Sequence, residues 1–253
     1  MCTLSWIRGS AGYSVFMNRD ERPTRAPGLP PEIRDGPVRW IAPFDGQSHG
    51  TWIGGNDRGL SLAILNRYHD SPMSAEGEWI SRGLLVTSLL EAVTKDDVER
   101  RLRERPLALY QPFTLAGFEV GRGARLFLWN GKALSVASVV ETGLVATSSG
   151  HDQQEATRIR GELFARWQEF YPTHPSHPSH PSQESFEAIH ASHLPERGPL
   201  SICMHRPEAG TVSFTRIDVG PATVTVAYIP GPPGETATRV SRSLPRTNQA
   251  PAG

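Results

Sequence analysis

Residues 1–25 read MCTLSWIRGSAGYSVFMNRDERPTR and carry the clearest structural pattern in the chain. Two short β-prone runs, Thr3–Arg8 and Gly12–Asn18, are joined by Gly9-Ser10-Ala11. A glycine-containing connection of this length between two such runs predicts a β-hairpin. The hairpin would return Asn18-Arg19-Asp20-Glu21 to the amino end of the chain.

Further β-prone runs follow in three groups, and helical patterns lie between them. The runs are Val38–Ala42, Thr51–Ile53 and Leu60–Leu65, then Phe113–Val120, Arg125–Trp129, Ala133–Val139 and Leu144–Thr147, then Ser201–His205, Thr211–Val219 and Ala222–Ile229. Apolar residues recur every three or four positions in Trp79–Val93 and Asp152–Tyr171, which predicts amphipathic helices, and the charged segment Asp96–Arg105 predicts a surface helix. Many antiparallel strands with a few such helices predict an α+β layered domain.

Two segments lack the apolar residues that a folded core needs. Thr173–Gln183 reads THPSHPSHPSQ, and residues 230–253 are rich in proline, glycine and polar residues. Such segments bury too little surface to offset the entropy of ordering the chain. We therefore expect one domain over residues 1–229, an internal linker at 173–183 and a flexible tail at 230–253.

Composition excludes several broad classes of protein. The 26 basic and 26 acidic residues cancel, which argues against a general nucleic-acid binder. No apolar run approaches the roughly 18–20 residues of a membrane-spanning helix, and the first nine residues lack the pattern of a secretion signal. Two cysteines cannot form a disulfide framework, so a reducing compartment is the default. We expect a cytoplasmic protein without a membrane span.

Cys2 is the candidate nucleophile. If Met1 is removed, Cys2 carries a thiol and a free α-amino group, whose ordinary pKa of about 7.7–8.0 allows it to act as a base. The predicted hairpin places Arg19 and Asp20 beside it. A guanidinium would favour the thiolate and a carboxylate would orient the α-ammonium. The plainer interpretation is a small buried cysteine next to a surface charge cluster.

These residues belong to a wider set of motifs. The segment resembles the NRDE family, the transport and Golgi organisation protein 2-like proteins named for the Asn-Arg-Asp-Glu motif. The resemblance covers about residues 1–229. It continues in Gly50–Gly54 (GTWIG), Gly59–Asn66 (GLSLAILN), Ser81-Arg82-Gly83, Ser201–Arg206 (SICMHR) and Thr211-Val212-Ser213. It departs at His49, where the family commonly has glycine.

The resemblance implies the N-terminal nucleophile (Ntn) hydrolase fold, a four-layer αββα sandwich. It extends more faintly to the cysteine acylases that cleave penicillin V and conjugated bile salts. Position by position, it implies Cys2 as nucleophile, Arg19 as the arginine beside the thiol, Asp20 as its acidic neighbour and Asn66 as an oxyanion donor. A second acylase asparagine falls near residues 147–149, which contain none, so Ser149 is the candidate there. A late acylase arginine corresponds to Arg206.

The histidines suggest competing metal sites. His174, His177 and His180 lie about 9 Å apart along a polyproline helix, so we favour a spacer over a metal site there. A zinc site is an alternative for four other residues: His190, His193, Cys203 and His205. The first pair would share a helix face and the second pair a strand face. Their spacing matches no standard zinc finger, and we favour the interpretation that these residues bind no metal.

No phosphate-binding glycine loop is present, and we expect no cofactor. The function that these features favour is a cysteine Ntn hydrolase-like protein that cleaves or transfers a small acyl group, most readily at an amide C–N bond. The alternative is a non-catalytic protein that binds or traffics a small apolar ligand, haem or lipid, on the same fold. For haem, His205 or Cys2 would be the axial ligand. A thiol-directed acylating probe distinguishes the two functions.

Overall fold

The computed structural model describes residues 2–68, 79–170 and 182–247. Its strands are β1 (Cys2–Arg8), β2 (Tyr13–Glu21), β3 (Gly28–Arg34), β4 (Trp40–Asp45), β5 (Ile53–Asn56), β6 (Leu60–Asn66), β7 (Phe113–Glu119), β8 (Gly123–Trp129), β9 (Leu134–Val139), β10 (Gly143–Ser148), β11 (His205–Arg206), β12 (Ala209–Val219), β13 (Thr223–Ile229) and β14 (Val240–Pro245). Its α-helices are α1 (Arg82–Leu89), α2 (Lys95–Arg103), α3 (Gln153–Phe170) and α4 (Gln183–His190), with a 3₁₀ turn at Leu107–Leu109.

The strands form two antiparallel sheets. The first has the order β10-β1-β2-β12-β13-β14, with β11 paired to β12, and the second runs β3-β4-β5-β6-β7-β8-β9. The predicted hairpin is present, because β1 and β2 pair from Cys2–Arg19 to Arg8–Tyr13. This hairpin lies inside the first sheet, and β10 and β12 cover its two edges.

Strand β2 shows why the sheets stack. Eight of its nine residues are buried, so both faces of the strand are covered. Val15 and Met17 point into the core between the sheets, whereas Phe16 packs against the opposite side. Alternate residues of a strand point to opposite faces, so one strand contributes to two cores.

Helices cover the outer faces of both sheets. Phe164 of α3 and Phe186 of α4 pack with Phe16 outside the first sheet. Helices α1 and α2 lie against β5, β6 and β7 of the second sheet and bury Leu85 and Val98 there. The result is a four-layer αββα arrangement, as predicted. Within the described ranges, no helix is both long and apolar enough to cross a membrane.

The predicted helices are present with shifted ends. The periodic segment Asp152–Tyr171 corresponds to α3 and Asp96–Arg105 to α2. The helix predicted over Trp79–Val93 is shorter, since α1 begins at Arg82 and ends at Leu89. Of the linker predicted at 173–183, only Ser182 and Gln183 lie within the described residues, at the start of α4.

Two predictions about the last third of the chain are wrong. Of the strand predicted over Ser201–His205, only His205 lies in a strand, because pairing with β12 is confined to His205 and Arg206. The tail predicted from residue 230 contains β14, which pairs with β13 from Tyr228–Val240 to Thr223–Pro245. The side chain of Leu244 is fully buried, so this one residue anchors a strand whose other residues are exposed or half-buried. Residues 248–253 lie outside the described part of the chain.

Candidate active site

Strand pairing places the candidate nucleophile beside the polar motif. Cys2 lies opposite Arg19 of β2 on one side and Ser148 of β10 on the other. Asp20 follows Arg19 and pairs with Thr211 of β12. Since β1 begins where β2 ends, the amino end of the chain and the Asn-Arg-Asp-Glu motif share one edge of the sheet.

This edge opens into a cavity of about 330 Å³ between the ends of the two sheets. Four of the predicted site residues line it: Cys2, Arg19, Asp20 and Asn66. The other lining residues are Glu21, Arg25, Asp45, Ser48, Thr51, Trp52, Ile64, Trp79, Ile80, Ser81, Arg82, Gly83 and Gln111.

Arg19 is held by a carboxylate that sequence analysis missed. Its Nη2 donates to Asp45 Oδ2 at 2.5 Å, and its guanidinium lies 4.5 Å from the centre of the Trp52 ring. Arg25 also donates to Asp45, from Nε at 2.9 Å and from Nη2 at 3.1 Å. Burial opposes the charge on Asp45, but Arg25, the Ser48 backbone N–H and Arg19 outweigh burial and hold its pKa well below the ordinary value. The positive charge of Arg19 is therefore largely balanced.

The thiol of Cys2 is less acidic than the sequence suggested. Burial raises its pKa, and the negative charge of Asp20 adds to this rise. The backbone N–H of Asp20 donates to the sulfur and lowers the pKa, as does the charge of Arg19, but neither overcomes burial. The expectation that Arg19 gives Cys2 a depressed pKa is therefore wrong for the chain that retains Met1.

Asp20 is a buried carboxyl group held from the neighbouring strand. Thr211 Oγ1 donates to its Oδ1 at 2.7 Å. Burial raises the pKa of Asp20, against the opposing charges of Arg160 and Arg206 and the Thr211 hydrogen bond. Asp20 thus lies at the meeting point of β1, β2 and β12, where its charge is felt by the Cys2 thiol.

Arg160 of α3 is the second residue that sequence analysis missed. Its side chain is fully buried beneath the site. Nη1 donates to Thr3 Oγ1 at 3.0 Å and to Thr147 Oγ1 at 2.6 Å, and Nη2 donates to the Ser201 carbonyl at 2.9 Å. A buried arginine needs such partners to offset the loss of water. The available signal was its spacing of four residues from Ala156 and from Phe164, which share its buried face of α3.

Asn18, the first residue of the motif, has a structural role. Its Nδ2 donates to the carbonyl oxygens of His190 and Ile202, and its Oδ1 lies 3.0 Å from His190 Nδ1. The other ring nitrogen of His190 lies 2.7 Å from Ser5 Oγ. Burial, aided by the charge of Arg160, lowers the pKa of His190 to about 3. His190 is therefore a neutral core residue.

Of the three remaining predicted site residues, one lines the cavity and two do not. Asn66, at the end of β6, donates to Tyr68 Oη at 2.7 Å beside the cavity. Ser149 does not line the cavity, and its Oγ accepts from the backbone N–H groups of His151 and Asp152 at the start of α3. Arg206 also lies outside the lining, where it pairs with Glu208 at 3.0 Å.

A close backbone contact positions the part of the cavity wall that contains Arg82 and Gly83. A Cβ on Gly50 would lie 2.3 Å from the carbonyl carbon of Gly83, so only glycine fits there. The Thr51 N–H donates to the Gly83 carbonyl at 3.1 Å. This contact holds Arg82, whose Nη1 donates to the Pro112 carbonyl at 3.0 Å. His49, where the family commonly has glycine, has φ of 56°, a conformation that favours glycine.

The other predicted metal candidates lie away from this cavity. His193, Cys203 and His205 come together on the far side of Thr211, and none lines the cavity. His174, His177 and His180 lie outside the described residues.

Solved structures with similar folds come from hydrolases. A conjugated bile acid hydrolase from Clostridium perfringens, in a mutant whose second residue is changed from cysteine to alanine, matches with a TM-score of 0.58 and 9% identity, over 98% of this chain and 97% of that one. The Caenorhabditis elegans orthologue of N-acylethanolamine-hydrolyzing acid amidase matches with a TM-score of 0.52 and 12% identity, over 86% and 92%. At these identities the likeness shows the fold, which is that of the Ntn hydrolases.

Sequence comparison is consistent with this fold. No curated protein matches the chain in sequence. The model of the family described as Transport and Golgi organisation 2 matches residues 1–195, which include the hairpin, the cavity wall and helix α3. The chain therefore belongs to the Transport and Golgi organisation 2 family.

Proposed function

We propose that this protein is a cysteine Ntn hydrolase that cleaves a small acyl compound at an amide C–N bond. One observation carries the proposal: Cys2, Asp20 and Asn66 line a single cavity, with Cys2 at the first position of β1. A nucleophile, a group that orients its amine and an amide donor are the parts that acyl transfer needs. The similar solved structures, a conjugated bile acid hydrolase and an N-acylethanolamine-hydrolyzing acid amidase, support the same chemistry.

The proposed reaction begins with removal of Met1, which frees the α-amino group of Cys2. That amine takes the thiol proton, and the sulfur attacks the substrate carbonyl carbon. Asn66 Nδ2 leaves Tyr68 and donates to the oxyanion. The α-ammonium then gives its proton to the departing amine as the C–N bond breaks. Water hydrolyses the resulting thioester and releases a carboxylic acid.

Two features of the site fit this sequence of steps. The backbone N–H of Asp20 donates to the sulfur, which stabilises the thiolate as it forms. Asp20 lies where its carboxyl group orients the α-ammonium.

The cavity also suggests a polar feature of the substrate. Arg19, Arg25, Glu21 and Asp45 form one network of ion pairs on its wall. Arg82 also lines the cavity and forms no ion pair with any carboxylate of the described residues. Its guanidinium is placed to receive a carboxylate or another anionic group of the substrate.

A second candidate function is binding of an apolar chain without hydrolysis. A groove of about 800 Å³ meets the cavity at Asn66 and contains Leu126, Leu128 and Ala146. An alkyl chain in this groove would bring its head group to Cys2. None of the described residues that line the groove has a side chain suited to haem iron, so the groove favours lipid over haem.

The test uses full-length protein in which intact-mass analysis shows that Met1 is absent. We would incubate it with N-acyl amides of graded chain length and analyse the Cys2 peptide and released acid by mass spectrometry. The proposal expects a transient acyl adduct on Cys2 and turnover that Cys2→Ala abolishes. Cys203→Ser is the matched control and should retain turnover. Turnover that survives Cys2→Ala would contradict the proposal, and binding without any adduct would favour the second candidate.

A further inference from the structure

A second cluster of reactive side chains lies outside the cavity. His193 follows α4, Cys203 and His205 lie on the segment that enters β12, and Glu235 lies in the turn after β13. One ligand atom from each of His193, Cys203 and His205 falls within 4.8 Å of the other two. We propose that these four residues form a zinc site that holds three separate segments of the chain together.

The distances fit a tetrahedral ion. His193 Nε2 lies 2.9 Å from His205 Nε2, and Cys203 Sγ lies 3.7 Å from the same nitrogen. Glu235 Oε1 lies 3.3 Å from His193 Nε2 and 3.7 Å from His205 Nε2. With bonds of about 2.0–2.1 Å to nitrogen and oxygen and about 2.3 Å to sulfur, tetrahedral zinc spaces its ligand atoms roughly 3.3–3.6 Å apart. These four distances therefore lie within about 0.4 Å of the tetrahedral values, and Cys203 and His193 lie within 4.8 Å of each other.

The donor set selects the metal. One thiolate, two imidazoles and one carboxylate suit zinc, whereas magnesium and calcium require oxygen ligands throughout. Four protein ligands leave no open position, which is typical of structural zinc sites. Binding breaks the S–H bond of Cys203 and releases one proton to solvent, because the ligand is the thiolate.

The backbone holds the ligands in place without an ion. The Cys203 N–H donates to the Ser192 carbonyl at 2.9 Å, which aligns Cys203 with His193. Gly234, with φ of 84°, turns the chain toward α4, and a Cβ there would lie 3.2 Å from that of Ala191. This contact brings Glu235 to the histidines.

Arg197 is the neighbour that must adjust. Its Nη1 lies 2.8 Å from Glu235 Oε1, and its Nη2 lies 3.3 Å from His205 Nδ1. When His205 Nε2 binds zinc, Nδ1 carries the ring proton and cannot accept from Arg197. The Arg197 side chain is 56% exposed, so it has room to leave Nδ1 while its charge stays near the carboxylate.

The zinc site connects to the Asp20 side of the cavity. Met204, between two of the ligands, receives a hydrogen bond from the Thr211 N–H and donates its own N–H to Thr211 Oγ1, both at 2.8 Å. That hydroxyl donates to Asp20. An ion on Cys203 and His205 would therefore stabilise the strand that holds Asp20. The proposal of a zinc site does not depend on whether the protein is an enzyme.

The experiment is titration of full-length, metal-free protein with cobalt(II) chloride, followed by displacement with zinc chloride. The expected spectrum has a thiolate-to-cobalt charge-transfer band and intense tetrahedral ligand-field bands that saturate at about one ion per chain. Cys203→Ser should remove the charge-transfer band. His193→Ala should weaken zinc binding at least tenfold, and Glu235→Gln should weaken it while leaving the charge-transfer band.

Two matched controls separate this site from other thiols and histidines. Cys2→Ser and the triple variant His174→Ser, His177→Ser, His180→Ser should both keep the charge-transfer band. Zinc should also raise the unfolding temperature of wild-type protein but not of His193→Ala. A charge-transfer band that survives Cys203→Ser, or its absence from folded wild-type protein, would overturn the proposal.

Discussion

The buried guanidinium of Arg160 donates to Thr3 Oγ1 at 3.0 Å, which ties helix α3 to the strand that begins with Cys2. The same group donates to Thr147 in β10 and to the Ser201 carbonyl. One side chain therefore joins four segments around the candidate nucleophile. Its charge also opposes the upward shift that burial imposes on the pKa of Asp20.

We expect Arg160→Met to lower the free energy of unfolding by about 3 kcal/mol or more, because it leaves two hydroxyls and a carbonyl buried with fewer partners. Urea unfolding followed by circular dichroism measures the change. The matched control is Arg158→Met on the same helix, whose exposed ion pairs with Glu155 and Glu162 should matter little. Equal stability of the two variants would contradict the structural role of Arg160.

The thiol of Cys2 should titrate above its ordinary value while Met1 is present. Asp20→Asn should lower its pKa by removing a negative charge, and Arg19→Ala should raise it by removing a positive one. The measurement is the rate of iodoacetamide labelling against pH, read on the Cys2 peptide. Arg25→Ala is the control, since it also loosens Asp45 but is not among the charges that act on Cys2.

Cys203 provides an internal reference in that experiment. Burial raises its pKa to about 12 in the metal-free chain, so it should stay unlabelled at neutral pH. If Cys2 labelled with the same pH profile in wild type and in Asp20→Asn, the electrostatic coupling between them would be disproved.

Asp45 should make stability depend on pH in the acid range. Its pKa is lowered on folding, so its contribution is present above the unfolded value of about 3.9 and is lost as pH falls toward the folded value. Asp45→Asn should cost about 2 kcal/mol at pH 7, since it removes charged hydrogen bonds to two arginines. The difference should shrink in urea unfolding at pH 3. A constant difference from pH 7 to pH 3 would show that Asp45 acts by packing alone.

Arg82 should select substrates by charge. We expect Arg82→Gln to raise KM about tenfold for an amide that carries a carboxylate, because a charge-assisted contact is lost. The uncharged analogue should change less than twofold, and Arg82→Lys should restore part of the difference. Steady-state kinetics on both substrates measures this, and equal effects on both would remove the proposed contact.

The last described strand should be needed for stability. Leu244→Ala should lower the free energy of unfolding by about 3 kcal/mol, because the Leu244 side chain of β14 is fully buried in the core. Ser241→Ala, on the same strand but exposed, should be nearly neutral. Thermal unfolding compares the two. A neutral Leu244→Ala would contradict a stabilising role for β14 and favour the predicted flexible tail.

Local patterns in the sequence were sufficient for much of the fold. The hairpin of β1 and β2 follows from two β-prone runs and a glycine-containing turn, and α3 follows from apolar residues at helical spacing. These features depend on neighbours within a few residues, so a single sequence reveals them. Hairpin pairing also predicted that Arg19 would lie beside Cys2.

Other features depend on contacts between residues far apart in the chain, and only the tertiary structure decided them. The sequence predicted a flexible tail at strand β14 because Leu244 is its one fully buried side chain. The strand forms because its backbone pairs with β13, which the local sequence does not reveal. Asp45 reaches Arg19 from the other sheet. Burial, which sequence alone did not show for Cys2, reversed the expected shift in the pKa of its thiol. His193, Cys203, His205 and Glu235 come together across 43 positions because backbone contacts outside any regular spacing fold their segments against one another. Burial, charge balance and ligand geometry are properties of the packed molecule, so local sequence patterns alone do not predict them.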